Sequence, residues 1–348
     1  MEENQTVESK RKGCGFGCLI AIAIFGGMMA LTAIPMIWSF AVAMQGGRTG
    51  FFHSMHVSDA GEDVAPFMTE TWSAGNGDVK VVRIPVEGII MLGEGRWRGG
   101  QTDTVLRSIR RATHDEEVKG LILEINSGGG GITDSDIIYR ALLRFKEADE
   151  DRVIVSIFGD TAASGAYYIA LASDHILAHP TTITGSIGVV MQTYNFKELA
   201  QKIGISDVTI TSGENKDMLN PFKDVSPEQQ EMLKGIVTVM HGRFTSLVTQ
   251  HRNLPMDVVA PLADGRIFGA EEALRHKLID GIGYAEDAQL KIAELLGAEE
   301  GGVKIFRYGE QVTLMDLLSR PGFGFQSEML RLLRNEQDGP RLMYKWSL

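Results

Sequence analysis

Cysteine is nearly absent from the 348-residue chain: Cys14 and Cys18 are the only two, and the 330 residues after Cys18 contain none. That excludes an internal disulfide framework over the bulk of the protein. The C-x₃-C spacing, with no histidine beside it, does not match a zinc site, so the pair reads as two small apolar residues at the edge of an apolar segment. No metal or other cofactor is called for by any constellation in the sequence. Aromatic residues are also scarce, at 7%, whereas glycine occurs 40 times, a balance that suggests an α/β protein with many tight turns. Positive charge is the third shortage, with 34 lysines and arginines against 45 acidic residues, net −11. The six charges among residues 1–44 cancel, so the whole excess lies on residues 45–348. Nucleic-acid binding depends on cations that neutralise phosphates, so such a surface excludes nucleic acid as a partner. What is present, 44% apolar and 23% charged residues, is the composition of a chain that buries a core.

Residues 18–44, CLIAIAIFGGMMALTAIPMIWSFAVAM, carry no charge over 27 positions. About 20 apolar residues suffice to cross a bilayer as a helix. Lys10, Arg11 and Lys12 precede the segment and no basic residue follows until Arg48, which places residues 1–17 in the cytoplasm and the remainder beyond the membrane. Trp38 suits an interfacial anchor and Pro35 is tolerated in such a helix. Ala41-Val42-Ala43 has the small-x-small form of a cleavage site, but the apolar run far exceeds the ~7–15 residues of a signal-peptide core, which favours a retained anchor.

Residues 45–78 read as a linker or arm, rich in glycine, serine and acidic residues. At Val79 the texture changes to VKVVRIPVEGII, which reads as a strand pair and as the start of a domain covering 79–300. Helices are expected near 102–113, 133–148, 164–172, 226–252, 270–276 and 285–296, and buried strands at 120–126, 152–158 and through HILAHP and SIGVVM. Solid apolar strands alternating with helices indicate a largely parallel sheet covered on both faces. Residues 301–348, an extension, give only weak signals.

Two segments bear on chemistry. In GDTAASGAYYIALAS, Ser164 stands between Ala163 and Gly165 where a strand turns into a helix. Such a position suits either an ordinary helix N-cap or a nucleophile, since it leaves the hydroxyl unobstructed beside backbone donors of a first helical turn that have no intrahelical acceptor. In INSGGGGITDSD, a buried strand runs into four glycines and then a helix, a loop able to form an anion nest. It lacks the lysine and spacing of a P-loop and the G-x-G-x-x-G of a dinucleotide fold, which leaves an oxyanion hole completed by the Gly165 N–H.

Together the segments resemble the signal peptide peptidase A (protease IV) family of membrane-bound serine peptidases, within the Clp-protease/crotonase fold group. The resemblance rests on N-S-x-G-G-x-x-x-x-S from Asn126 to Ser135, D-x-A-A-S-G-x-Y-Y-I-A from Asp160 to Ala170, and T-G-S-I-G-V from Thr184 to Val189. It extends over about residues 79–290, and Gly128 replaces the proline of the family's Ser-Pro-Gly-Gly. The family's base is a lysine some fifty residues after the serine; Lys216 lies 52 residues on, in a matching K-D-x-x-x-P context. The resemblance therefore implies a Ser164–Lys216 dyad, an oxyanion hole from Gly129 and Gly165, and for Ser186 a place orienting Lys216 or lining the site, or else a structural turn. It further implies homo-oligomeric rings in which the lysine of one subunit meets the serine of its neighbour, and extended apolar peptides such as cleaved signal peptides as substrates. The expected location is a bacterial cytoplasmic membrane, with the peptidase domain on the outer face. Histidines offer no alternative base: His175 and His179 flank an apolar strand and read as structural. The competing readings are a crotonase-type acyl-CoA enzyme, which the membrane anchor and the AASGA serine do not suit, and a catalytically silent membrane scaffold, which would keep the anchor and interfaces while tolerating loss of Ser164.

Overall fold

A computed structural model describes residues 65–92, 101–299 and 301–309, and the backbone of 343–345. The apolar segment 18–44 lies outside them. Among the described residues no helix is long and apolar enough to cross a membrane.

The core is a nine-stranded sheet. Its central strands are β2 (Val79–Glu87), β3 (Val118–Ser127) and β5 (Val153–Ala163), each hydrogen-bonded in parallel to the next. Their central runs are mostly apolar because both faces are covered. Val82, Ile84, Leu121, Leu123 and Ile125 enter the larger core cluster, while Val81, Ile122, Val155 and Ile157 enter the other. The first face is covered by α1 (Gln101–Thr113), α2 (Ile132–Glu147), the short α3 (Gly165–Ala170) and the C-terminal part of the 26-residue α5 (Pro227–Arg252), with α4 (Lys197–Lys202) in the segment before α5. Short helices α6 (Met256–Val259) and α7 (Ala270–Arg275) follow, and α8 (Ala285–Leu295) seals the second face through Ala288, Ile292 and Ala293. Full burial of an Ile, Leu or Phe side chain contributes roughly 1.5–3 kcal/mol. The α/β class with a mostly parallel sheet, as expected, fits a Clp-protease-like fold.

β5 is long enough to have two neighbours on one edge. Its first half pairs with β6 (His175–Ala178), which continues to β9 (Gly281–Ile282), and its last three residues pair with β7 (Ile183–Gly185), which continues to β8 (Ile267–Gly269). On the other side of the sheet, β10 (Val303–Gly309) lies between β2 and β1 (Thr69–Ala74), parallel to the former and antiparallel to the latter. Strand β1 thus falls within the stretch read as a linker, and β10 within the stretch read as an extension.

Two local readings are corrected. VKVVRIPVEGII is one strand rather than a pair, ended by Gly88 at φ +68°, and only Ile90 forms a further bridge, to Gly130. SIGVVM contributes no strand, because Ser186 at φ +50° ends β7 one residue earlier. Helix α5 begins as its sequence dictates: the Ser226 hydroxyl accepts from Gln229 N–H at 3.2 Å, Gln229 returns the bond to Ser226 N–H, and Pro227 occupies the first turn.

Candidate active site

The carboxyl ends of β3 and β5 lie side by side, with Ser127 opposite Ala162. In parallel sheets this is where ligands bind. β5 delivers Ser164 and β3 delivers the glycine loop.

Ser164 is 1% exposed and adopts φ 56°, ψ −120°, a conformation that side chains other than glycine's rarely take. Two bonds hold it there: its N–H donates to Gly185 C=O at 2.8 Å and its C=O accepts from Tyr168 N–H at 2.9 Å. Ala162, Ala163 and Ala166 around it are fully buried, so the sharp reversal from strand to helix needs small side chains at these positions. No hydrogen bond is made to its hydroxyl among the described residues. Gly165 is the first residue of α3, so its N–H has no intrahelical acceptor. Tyr167, fully buried behind the serine, donates to Leu278 C=O at 2.8 Å; burial pushes its phenol well above the ordinary range and keeps it a donor.

The glycine loop forms β4 (Gly129–Gly131), and α3 packs against it. Gly129, at φ +96°, donates its N–H to Ser127 Oγ at 3.0 Å, and that hydroxyl donates to Gly88 C=O at 2.6 Å. Ile90 binds one edge of the loop, donating to Gly129 C=O at 3.0 Å and accepting from Gly131 N–H at 2.8 Å. Strand alternation then turns the N–H and C=O of Gly130 to the opposite edge. That edge is taken by β11 (Met343–Lys345), antiparallel to β4 with Tyr344 opposite Gly130. The expected donor, Gly129, is thus engaged with Ser127, and Gly130 is the amide facing the edge where a strand lies. A string of four glycines does not reveal which amide faces outward; the loop's φ and ψ decide it.

Ser186 follows β7, 7% exposed at φ +50°, its N–H donating to Arg266 C=O at 2.7 Å. Because Gly185 accepts from Ser164, Ser186 is a backbone neighbour of the nucleophile position. Ser164, Gly165, Ser186 and the glycine loop are therefore brought together.

Lys216 is not. It is exposed, on a turn whose Lys216 N–H donates to Gly213 C=O at 3.1 Å, and no hydrogen bond or ion pair links it to Ser164 among the described residues. The arm that carries it, residues 186–226, holds only one short helix and is stitched internally. Phe196 N–H donates to Pro221 C=O at 2.6 Å, Asn220 to Asp207 at 3.0 Å, and Lys223 to Asp217 at 2.5 Å. It also exposes large apolar side chains, among them Val208 at 85% and Ile210 at 95%, and Val239 on the adjoining α5 is 68% exposed. Exposed apolar surface on this scale marks contact sites.

His179 is engaged with Thr181 Oγ1 at 2.8 Å and set edge-on to Tyr284, while half-buried His175 is held below its ordinary pKa by burial. Among the described residues no His, Cys, Asp or Glu cluster forms a metal site.

A mostly parallel α/β sheet that presents a strained serine and a glycine loop at adjacent strand ends fits the scaffold of a Clp-type serine peptidase. The comparisons agree. The model of peptidase family S49 matches residues 146–299. A putative signal peptide peptidase SppA of Enterococcus faecium is 38% identical over 63% of this chain and 64% of its own length. A putative protease of Synechocystis is 36% identical over 69% of this chain and 80% of its own length, and Protease 4 of Salmonella typhi is 32% identical over 66% and 37%. The chain therefore spans just under two thirds of the first relative and little more than a third of the last. It belongs to peptidase family S49, the signal peptide peptidase A family.

Proposed function

We propose that the protein is a membrane-anchored serine endopeptidase in which Ser164 is the nucleophile and Lys216, supplied by a neighbouring copy, is the general base. The observation that carries this reading is Ser164: a buried serine held at φ 56°, its hydroxyl without a partner among the described residues, against a glycine loop. Residues 18–44 are the anchor, with the peptidase domain on the outer face of a bacterial cytoplasmic membrane. The family and the names of its relatives support a peptidase.

In the reaction, Ser164 Oγ attacks the scissile carbonyl carbon while its proton passes to Lys216 Nζ. The oxyanion is held by Gly165 N–H and by an amide of the glycine loop, Gly129 if Ser127 releases it, or Gly130. Each such donor is worth about 10²–10³ in rate. The Lys216 ammonium returns the proton to the leaving amine, and a water deprotonated by the same lysine hydrolyses the acyl ester, freeing the carboxylate product and Ser164. Ser186 lines the site. Extended apolar peptides, including remnants of cleaved signal peptides, are the substrates, added as a strand along β4. The antiparallel pairing of β11 on that edge supports such a mode.

A lysine base has to be neutral near pH 7–8, about 2–3 units below an ordinary lysine, and burial worth about 3–4 kcal/mol achieves this. The exposed turn carrying Lys216 does not supply that burial within one chain. A second copy covering the apolar surface of the arm does, which is why the base is assigned to a neighbour in a homo-oligomeric ring.

A fluorophosphonate probe tests the assignment. It labels Ser164 in the wild type, and labelling is lost in Ser164→Ala and in Lys216→Ala. Mixing those two inactive variants restores cleavage, because some interfaces join an intact serine to an intact lysine. Labelling at another serine overturns the reading, and a mixture that stays inactive while assembling overturns the shared site.

A further inference from the structure

The three parts of the proposed site arise from three different stretches: the glycine loop runs into α2, the nucleophile opens α3, and the arm bearing Lys216 runs into α5. One polar cluster joins all three helices. Tyr168 Oη, on α3, donates to Asp136 Oδ1, on α2, at 2.5 Å. Arg243, on α5, donates from Nε to Asp136 Oδ1 at 3.1 Å and to Tyr168 Oη at 3.0 Å, and from Nη2 to Asp136 Oδ1 at 2.5 Å.

Each member has a short path to the site. Tyr168 N–H bonds the carbonyl of Ser164 directly, and Tyr168 is fully buried, its ring edge-on to Tyr139 at 5.4 Å and tilted against Phe244 at 5.1 Å. Asp136 lies in the first two turns of the helix that Gly131 opens. Arg243 follows, on the same helix, the exposed apolar turns of α5 that adjoin the arm. A planar guanidinium reaches a carboxylate and a phenol at once, which an ammonium does not do in the same geometry. The hydrogen bond to Asp136 raises the Arg243 pKa, so the guanidinium stays charged throughout the working range.

We propose that Arg243 is a positioning residue: through Asp136 and Tyr168 it fixes α5 against its own chain's nucleophile helix and the helix that follows the glycine loop, and so sets the placement of the arm that presents Lys216 to the neighbouring copy. It touches no reacting atom. The inference rests on the Ser164–Lys216 reading, and it adds that base delivery depends on a node anchored one helical turn after the nucleophile.

Misplacing a catalytic group by about 1 Å costs on the order of 10²-fold in rate. Arg243→Ala and Tyr168→Phe are therefore expected to lower kcat by about 10- to 100-fold with KM within about two-fold of wild type. The double variant is no slower than the slower single, since both act through one node. Arg243→Lys, which keeps the charge and loses the fork, is expected to recover only part of the rate. Arg243→Ala and Tyr168→Phe both remain folded at the assay temperature with wild-type oligomer size, measured on the same samples, and Arg140→Ala, which removes only the exposed pair with Glu147 on α2, leaves kcat unchanged. The inference is overturned if Arg243→Ala retains wild-type kcat, if its loss appears in KM alone, or if the loss tracks the folded or assembled fraction. If Ser164→Ala still cleaves, the dyad reading fails first; if Ser164→Ala is dead and Arg243→Ala is unimpaired, only the positioning role fails.

Discussion

The backbone of Ser164 makes a prediction that does not depend on activity. A residue with a Cβ at φ 56°, ψ −120° stores about 1–3 kcal/mol of strain. Glycine takes the same conformation freely, but it loses more entropy on folding, by about 0.5–1 kcal/mol. Ser164→Gly and Ser164→Ala both remove the hydroxyl, and neither introduces charge or bulk among the buried alanines at 162, 163 and 166. Their difference therefore combines the strain with the larger entropy loss of glycine. Subtracting the glycine entropy leaves the glycine variant about 1 kcal/mol more stable than the alanine variant, a shift of about 2–4 °C in Tm for a domain of this size. Scanning calorimetry of the two variants side by side measures it, with neither labelled by the fluorophosphonate. An alanine variant that melts at or above the glycine variant refutes the claim that the nucleophile turn is strained, and with it the argument that the site holds this serine at a cost in stability.

At Gly185, a Cβ would meet the Phe268 ring at 2.5 Å at φ +88°, so Gly185→Ala should destabilise the protein by about 1–3 kcal/mol in urea unfolding and slow labelling of Ser164, whose N–H it holds. Arg252 donates to both oxygens of Asp280, at 3.0 and 2.6 Å, and to Lys277 C=O at 2.8 Å; Arg252→Ala strands the half-buried carboxylate and should cost about 3–5 kcal/mol, read as a fall in the urea midpoint. Burial holds His175 and His251 below their ordinary pKa. The unfolded chain, titrating near about 6.5, then binds more protons than the folded one. Stability is full above that value and declines as pH falls through it toward the folded pKa values; a His175→Gln/His251→Gln variant should show a flatter decline between pH 7.5 and 5.5, and an unchanged slope counts against the assignment.

The elements most legible in the sequence were those whose signals are local. Helix α5 was announced by Ser226 as its cap, and β3 and the buried half of β5 by short, mostly apolar runs that suit a sheet covered on both faces. The tight turn at Ser164 was legible for a similar reason, since serine among alanines and glycine suits a cramped strand-to-helix reversal. Strand β1 was not legible: TETWSA at a sheet edge is mostly exposed and carries no alternation to read. Nor was β10, whose place is set by partners more than two hundred residues upstream. The family resemblance implies Gly129, while composition reveals only that a loop is permissive, not which amides it turns inward. The position of Lys216 relative to a serine is not encoded in the local pattern of either segment, and a single chain leaves it exposed.

The insertion of β10 between β1 and β2 has a consequence for how the chain is made. Thr69 hydrogen-bonds Gly309 at 2.8 Å across a separation of 240 residues. At about 5–20 residues per second, a ribosome takes roughly 10–50 s to cover that distance. Throughout that interval the outer edge of β2 is open and β1 has none of its described sheet partners. Closure of the sheet is thus postponed until the strand at 303–309 has emerged, and a nascent chain halted before it carries an unprotected edge of the kind that recruits foreign strands.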